Sequence, residues 1–207
     1  ALNSNPTAGL FRGNPNLGRT FSRNLEAGIT FQSAGWRVET ACFCRRDDHL
    51  TDWTFRQGVT ARSANAVDIS TRGLEIVALR RQPHYDLILS YTLLDKKADY
   101  GRATVDASFY ALNFARQRLT AAIVWRLGAG LELRLDNEFR VQEANPLRVL
   151  GGNQAYISAV GLFYLPPRWR GVELSALVDN LWDSDFQEVP AVPAARRQFS
   201  LGAAYRW

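Results

Sequence analysis

Apolar and polar residues alternate one by one over much of this chain, and that rhythm is what most limits its fold. From Leu131 to Gln142, one side carries Leu131, Leu133, Leu135, Asn137, Phe139 and Val141, and the other carries Glu132, Arg134, Asp136, Glu138, Arg140 and Gln142. A helix of 3.6 residues per turn would smear those charges around its circumference, whereas an extended strand places them all on one side. The end of the chain repeats the design. Phe199, Leu201, Ala203, Tyr205 and Trp207 share one face, and Gln198, Ser200, Gly202, Ala204 and Arg206 share the other. The same two-sided pattern runs through Tyr85–Leu93, Arg118–Leu127 and Val172–Asp179. Weaker versions lie near Phe21–Phe31, Trp36–Arg45, Asn65–Leu79 and Ala155–Tyr164. The spacing therefore predicts an all-β chain of nine strands.

The connections sort by length. Ser33–Gly35, Arg80–His84, Gly128–Gly130 and Leu165–Gly171 are short and hold the Gly or Pro that tight reversals use. The intervening stretches Arg46–Ala64, Asp95–Ser108, Glu143–Gln154 and Trp182–Ala195 read as long loops. Strict alternation of short and long connections is how antiparallel transmembrane β-barrels are built, with short turns at the periplasmic rim and long loops outside. On that reading Phe31, Trp36, Tyr85, Trp125, Tyr164, Tyr205 and Trp207 gather at the short-turn rim, where amphipathic rings favour a membrane interface. A strand of about twelve residues rises ~40 Å, and a ~45° tilt leaves ~28 Å along the normal, enough for an apolar band of ~25 Å. Slipping Leu131–Gln142 by one residue would turn its five charges toward lipid and cost ~10 kcal/mol. Glu132, Arg134, Asp136, Glu138 and Arg140 are thus expected to face the lumen.

Composition excludes other readings. No uninterrupted apolar run reaches the ~18 residues of a transmembrane helix, a test to which strands are blind. Net charge is +5, but 25 basic residues are interleaved with 20 acidic ones, so no nucleic-acid face is expected. The chain does not open on Met, and Ala1–Leu10 lack a charged n-region followed by an apolar core. The expectation is an internal start, cut from something longer. Cys42 and Cys44, two apart on a strand, point the same way about 6.6–6.8 Å apart, which suits small wall residues better than a disulfide.

Little here suggests catalysis. His49, beside Asp47, Asp48 and Asp52, reads as a solvated loop rather than a metal site, and His84 sits in a turn. Neither histidine has a nucleophile elbow, and no glycine-rich phosphate loop is present. No catalytic residue, metal or cofactor is expected. Ligand contacts, by position alone, would come from Arg56, Tyr100, Arg102, Tyr110, Asn145, Arg148 and Asn153 in the long connections. Arginine with aromatics suits an anionic or planar ligand and equally lipopolysaccharide.

Three stretches resemble TonB-dependent outer-membrane receptors. Gly13-Asn14-Pro15-Asn16-Leu17, then Ser22-Arg23-Asn24-Leu25-Glu26-Ala27-Gly28, resembles a loop-to-strand passage of that family, with Gly18-Arg19-Thr20 where the family often has Pro-Glu. Arg72-Gly73-Leu74-Glu75 is similar to an internal strand. Val178-Asp179-Asn180-Leu181-Trp182-Asp183 to Phe186, then Pro190, Pro193, Arg197 and the strand to Trp207, looks like the closing motif and aromatic C-terminus. The resemblance runs from about Asn14 to the end. It implies a 22-stranded receptor for scarce bulky nutrients such as iron–siderophore complexes or cobalamin. In that family a plug fills the lumen and energy arrives through a TonB box. Here the plug, TonB box and N-terminal strands are expected to be missing. Implied partners are outer-membrane lipid and lipopolysaccharide, the rest of the barrel and plug, the TonB complex, and the barrel-assembly machinery through the C-terminal strand.

Nine strands leave two open edges whose unpaired backbone groups cost several kcal/mol each in hydrocarbon. The chain therefore reads as a fragment. The alternatives are a wall segment of another outer-membrane barrel, either a diffusion porin or an outer-membrane enzyme, and a soluble all-β binding module.

Overall fold

The computed structural model describes residues 11–145, 148–188 and 192–207. Pro190 of the closing motif lies outside them. The described residues form β1 (Phe11–Arg12), β2 (Phe21–Ser33), β3 (Trp36–Phe55), β4 (Arg62–Arg81), β5 (Tyr85–Asp99), β6 (Ala107–Ser108), β7 (Ala115–Gly128), β8 (Leu131–Gln142), β9 (Gln154–Tyr164), β10 (Val172–Asp179) and β11 (Gln198–Tyr205), and no helix. Nine of them make one antiparallel meander, β11-β10-β9-β8-β7-β5-β4-β3-β2, which does not close on itself. These are the nine strands the alternation predicts. The two-residue strands β1 and β6 are additions the pattern does not reveal. They pair with the far ends of β4 and β3.

One expected loop is corrected. Arg46–Ala64 is mostly strand: β3 and β4 are each 20 residues long, joined by residues 56–61. A bulge hides this from the sequence. Between Asp47 and Leu50 the register gains a residue against Ile69 and Val67, and His49 sits at φ 58°. An extra residue inverts the parity of everything after it. Leu50, Asp52 and Thr54 thereby join the polar face, opposite Val67, Asn65 and Ser63. His49 is consequently a strand residue, its N–H donating to Asp68 Oδ1 at 2.8 Å.

Cross-strand partners share a face, so register carries one surface across the sheet. Phe31–Val38–Ala78–Leu89–Ala121–Asn137–Ser158 is one continuous row, on the side that also holds Leu133, Leu162, Leu174 and Leu201. That side is bare: Leu25 is 76% exposed, Ile29 77% and Leu201 89%. Its polar intruder Asn137 is satisfied locally. Ser158 Oγ and the Tyr156 hydroxyl donate to Asn137 Oδ1 at 2.7 and 3.1 Å, and Trp182 Nε1 donates to Ser158 Oγ.

The short turns are built for strand twist. Ala34-Gly35 and Ala129-Gly130 have positive φ at both central residues (48° and 81°, 51° and 80°), as a two-residue hairpin turn requires. Gly73 of the Arg72–Glu75 stretch has a packing reason: the Phe43 ring covers it, and a Cβ there would lie 2.2 Å from the ring edge.

Candidate functional site at the long-loop end

The second face is a wall of alternating charge. Glu132, Arg134, Asp136, Glu138 and Arg140 all lie on it, with Asp86, Thr92, Arg118 and Glu75 from neighbouring strands. Arg118 donates through Nε and Nη2 to the two Glu138 oxygens at 3.0 and 2.9 Å. Arg140 Nε shares Glu138 at 2.6 Å, and its Nη1 reaches Glu188 in the last loop at 3.0 Å. Two guanidiniums on one carboxylate leave positive charge, which Glu188 offsets. Arg118, Arg140, Glu188, Glu75 and Phe114 line a recess of about 350 Å³.

Three of the loops fold over this face and are locked there. The chain between β5 and β7 crosses it, and its β6 adds to the edge of β3. Asp52, wholly buried, accepts the Tyr100 hydroxyl at 3.0 Å and the N–H groups of Tyr110 and Ala111 at 3.2 and 3.1 Å. Val67, Ile69 and Ala111 form a small core beneath, joined by Leu50, Ala98 and Tyr100. Burial pushes the Tyr100 phenol well above its ordinary pKa.

Arg148 ties the other loops. Its guanidinium donates to the carbonyls of Gln187 (3.0 Å) and Glu143 (2.7 Å) and to Oδ1 of Asn153 (3.1 Å) and Asn113 (3.4 Å). All these acceptors are neutral, and burial pulls the arginine pKa down. Gln187 Oε1 in turn accepts from Val149 N. One side chain thus joins the loops after β5, β8 and β10. Replacing Arg148 by Ala should leave four acceptors without their donor and cost the loops about 3 kcal/mol. Hydrogen exchange in residues 148–153 and 180–188 should accelerate about a hundredfold. Arg148→Lys should not rescue it, because an ammonium cannot span a planar fork's four partners.

The structure does not bring the seven loop candidates together. Tyr100 and Arg148 are engaged in holding loops, Asn145 is buried with its carbonyl accepting the Arg148 N–H, and Asn153 supports Arg148. Arg56, Arg102 and the 56% exposed Tyr110 remain open, around the β3–β4 tip and the following loop. The recess residues Arg118, Glu188, Glu75 and Phe114 are not among those seven positions. The charge alternation of β7 and β8 marks Arg118 and Arg140, but only a fold can bring Glu188 to them. All seven aromatics lie at the short-turn end, six on the bare apolar face by register, with Trp207 just past β11 and its ring 6.4 Å from that of Tyr205. Cys42 and Cys44 are unpaired and exposed on that apolar face, beside Leu74 and Leu25. Among the described residues no three His, Cys, Asp or Glu side chains could together hold a metal ion.

The closing motif is a lock between strands. Asn180, at φ 46°, donates through Nδ2 to the carbonyls of Ser184 and Ala195 at 3.0 and 3.1 Å. Asp183 accepts the Arg197 N–H at 3.0 Å, and that bond, with Arg196 nearby, holds its carboxyl below the usual range.

Solved structures share this fold. The copper transporter OprC superposes with a TM-score of 0.69 at 16% identity, over 95% of this chain and 34% of that one. The fold is that of a stretch of antiparallel barrel wall in this transporter. The FrpB iron transporter of Neisseria meningitidis gives 0.68 at 14% identity over 94% and 32% of the two chains. The pyoverdine outer-membrane receptor FpvA of Pseudomonas aeruginosa gives 0.65 at 12% over 94% and 31%. The chain therefore spans about a third of the length of the structures it matches. No family model matches it, nor does any curated protein.

Proposed function

We propose that this chain is the closing wall of an outer-membrane receptor that imports a scarce, bulky nutrient complex, such as an iron–siderophore or cobalamin, with energy transmitted by TonB. The observation that carries the reading is the sorting of the meander into a bare apolar face and a charged face roofed by locked loops. A bare apolar surface of this extent needs a non-aqueous partner, and outer-membrane lipid provides it. The short-turn end then lies in the periplasm. Glu132, Arg134, Asp136, Glu138 and Arg140 look into the lumen, toward a plug supplied by the rest of the protein. The remaining strands satisfy the open edges of β2 and β11. The aromatics from Phe31 to Trp207 sit at the inner interface, and the β11 strand is the one the assembly machinery would engage. Arg56, Arg102, Tyr110 and the recess at Arg118 are the surfaces left for ligand.

The test is uptake by the full-length protein in outer membranes, with labelled iron–siderophore complexes, in cells with and without TonB. Accumulation that vanishes without TonB is expected. Passive entry of small solutes, unchanged by loss of TonB, would instead make this the wall of a diffusion porin.

A further inference from the structure

One cation stands alone on the bare face at its short-turn end. By register Ser33, Trp36, Arg80, Leu87 and Ile123 form a single row across β2, β3, β4, β5 and β7. The next three rows toward the long loops, from Phe31–Val38–Ala78–Leu89 to Ala27–Cys42–Leu74–Leu93, hold no carboxylate and no other cation. Arg80 is the last residue but one of β4. It stands about two residues from the turn, ~5 Å up at a ~45° tilt. That is the lower edge of a ~25 Å apolar band. Trp36, Tyr85 and Trp125 stand on the same face at this end.

The chain gives this guanidinium no counter-charge. Its central carbon sits 5.2 Å from the centroid of the Trp36 ring, a cation–π contact that covers one face of the planar group. Among the described residues Arg80 Nε is the one buried side-chain nitrogen or oxygen without a hydrogen-bond partner, and no carboxylate pairs with the group. Glu39 and Asp86, on the flanking strands, lie on the opposite face by register and are already engaged. Glu39 accepts Arg37 Nε at 2.6 Å, and Asp86 pairs with Arg126. An arginine cannot shed its proton to escape apolar surroundings, so it needs an anion from elsewhere.

We propose that Arg80 binds the phosphodiester of a glycerophospholipid in the periplasmic leaflet, whose acyl chains lie over Val38, Ala78, Leu87 and Leu89. Trp36 holds one face of the guanidinium, which leaves its terminal N–H groups to meet two phosphate oxygens side by side. Height and charge fit together. A headgroup phosphate lies where the hydrocarbon ends, and the patch offers one uncompensated positive charge with apolar side chains directly beyond it. The leaflet follows from the membrane orientation proposed above, and so rests on that reading.

The test uses the full-length protein in mild detergent, titrated with dioleoylphosphatidylglycerol, with bound lipid counted by native mass spectrometry. Dioleoylglycerol, which has the same chains and no phosphate, is the comparison. The phosphate-bearing lipid should bind about tenfold more tightly, and Arg80→Gln should remove that preference. Arg80→Lys should restore only part of it, because an ammonium neither stacks on Trp36 as a plane nor takes two oxygens at once. Arg81→Gln, one residue away on the charged face, should leave it unchanged. Heat-resistant migration in gels confirms that each variant is folded. An undiminished preference in folded Arg80→Gln would overturn the site. So would an equal loss in Arg81→Gln, which would mean attraction by net charge alone. Displacement of the lipid by inorganic phosphate would also overturn it, as an ion site without a lipid requirement. The orientation is read separately through Cys42 and Cys44, higher on the same face. A water-soluble maleimide should leave both unlabelled in liposomes, and rapid labelling mapped to them would refute the membrane orientation rather than the Arg80 site alone.

Discussion

Leu89→Arg is expected to destabilise the full-length protein by about 2–4 kcal/mol, while Ile88→Arg, one residue away on the same strand, should cost under about 1 kcal/mol. The two positions have the same chemistry and nearly the same height, so only the face differs. Leu89 lies in the apolar row between Ala78 and Ala121. Ile88, 43% exposed, lies on the charged face opposite Ala122 and Leu79. Near the middle of the apolar band an arginine at 89 must desolvate or distort the bilayer, whereas at 88 it meets a polar interior. Urea unfolding of the reconstituted protein measures the difference. Equal costs at the two positions would mean that the two faces do not meet different solvents.

Asp52→Ala should release the loop between β5 and β7. The carboxylate holds three donors in a site with no exposure, and its loss strands the Tyr100 hydroxyl and the N–H groups of Tyr110 and Ala111. Unsatisfied buried groups cost about 1–3 kcal/mol each, partly recovered as water enters, so a local loss of about 3–5 kcal/mol is expected. Hydrogen exchange at Tyr110 and Ala111 should rise several-hundredfold, while β8 and β9 keep their protection. The same tie has a pH signature. Tyr100 must keep its proton to donate, and its pKa is raised in the fold above the ordinary 10.0. A raised acid contributes stability that is fully present below pH 10 and is lost as pH climbs beyond it. Loop protection should therefore be flat from neutral pH to about 9.5 and fall above 10. Tyr100→Phe should abolish that fall.

How much could be read beforehand differs by element. β8 and β11 were plain because single alternation survives only where one face meets apolar surroundings and the other does not. The upper halves of β3 and β4 were hidden because the bulge at Asp47–Leu50 inverts parity in mid-strand, so two correct half-patterns add up to none. Arg148 looked like a ligand contact because an arginine in a long loop is usually solvated. Its burial depends on Asn113, Glu143, Asn153 and Gln187, which come from three separate connections.

The order of residues alone determined the nine strands of the meander, the two faces, the ends where turns are short and the aromatic rim, because each follows from a period of two and from local turn chemistry. Only the tertiary structure decided where the loops go. Asp52 reaching Ala111 and Arg140 meeting Glu188 are contacts between distant parts of the chain. Such contacts are set by strand register and shear, which no local pattern encodes.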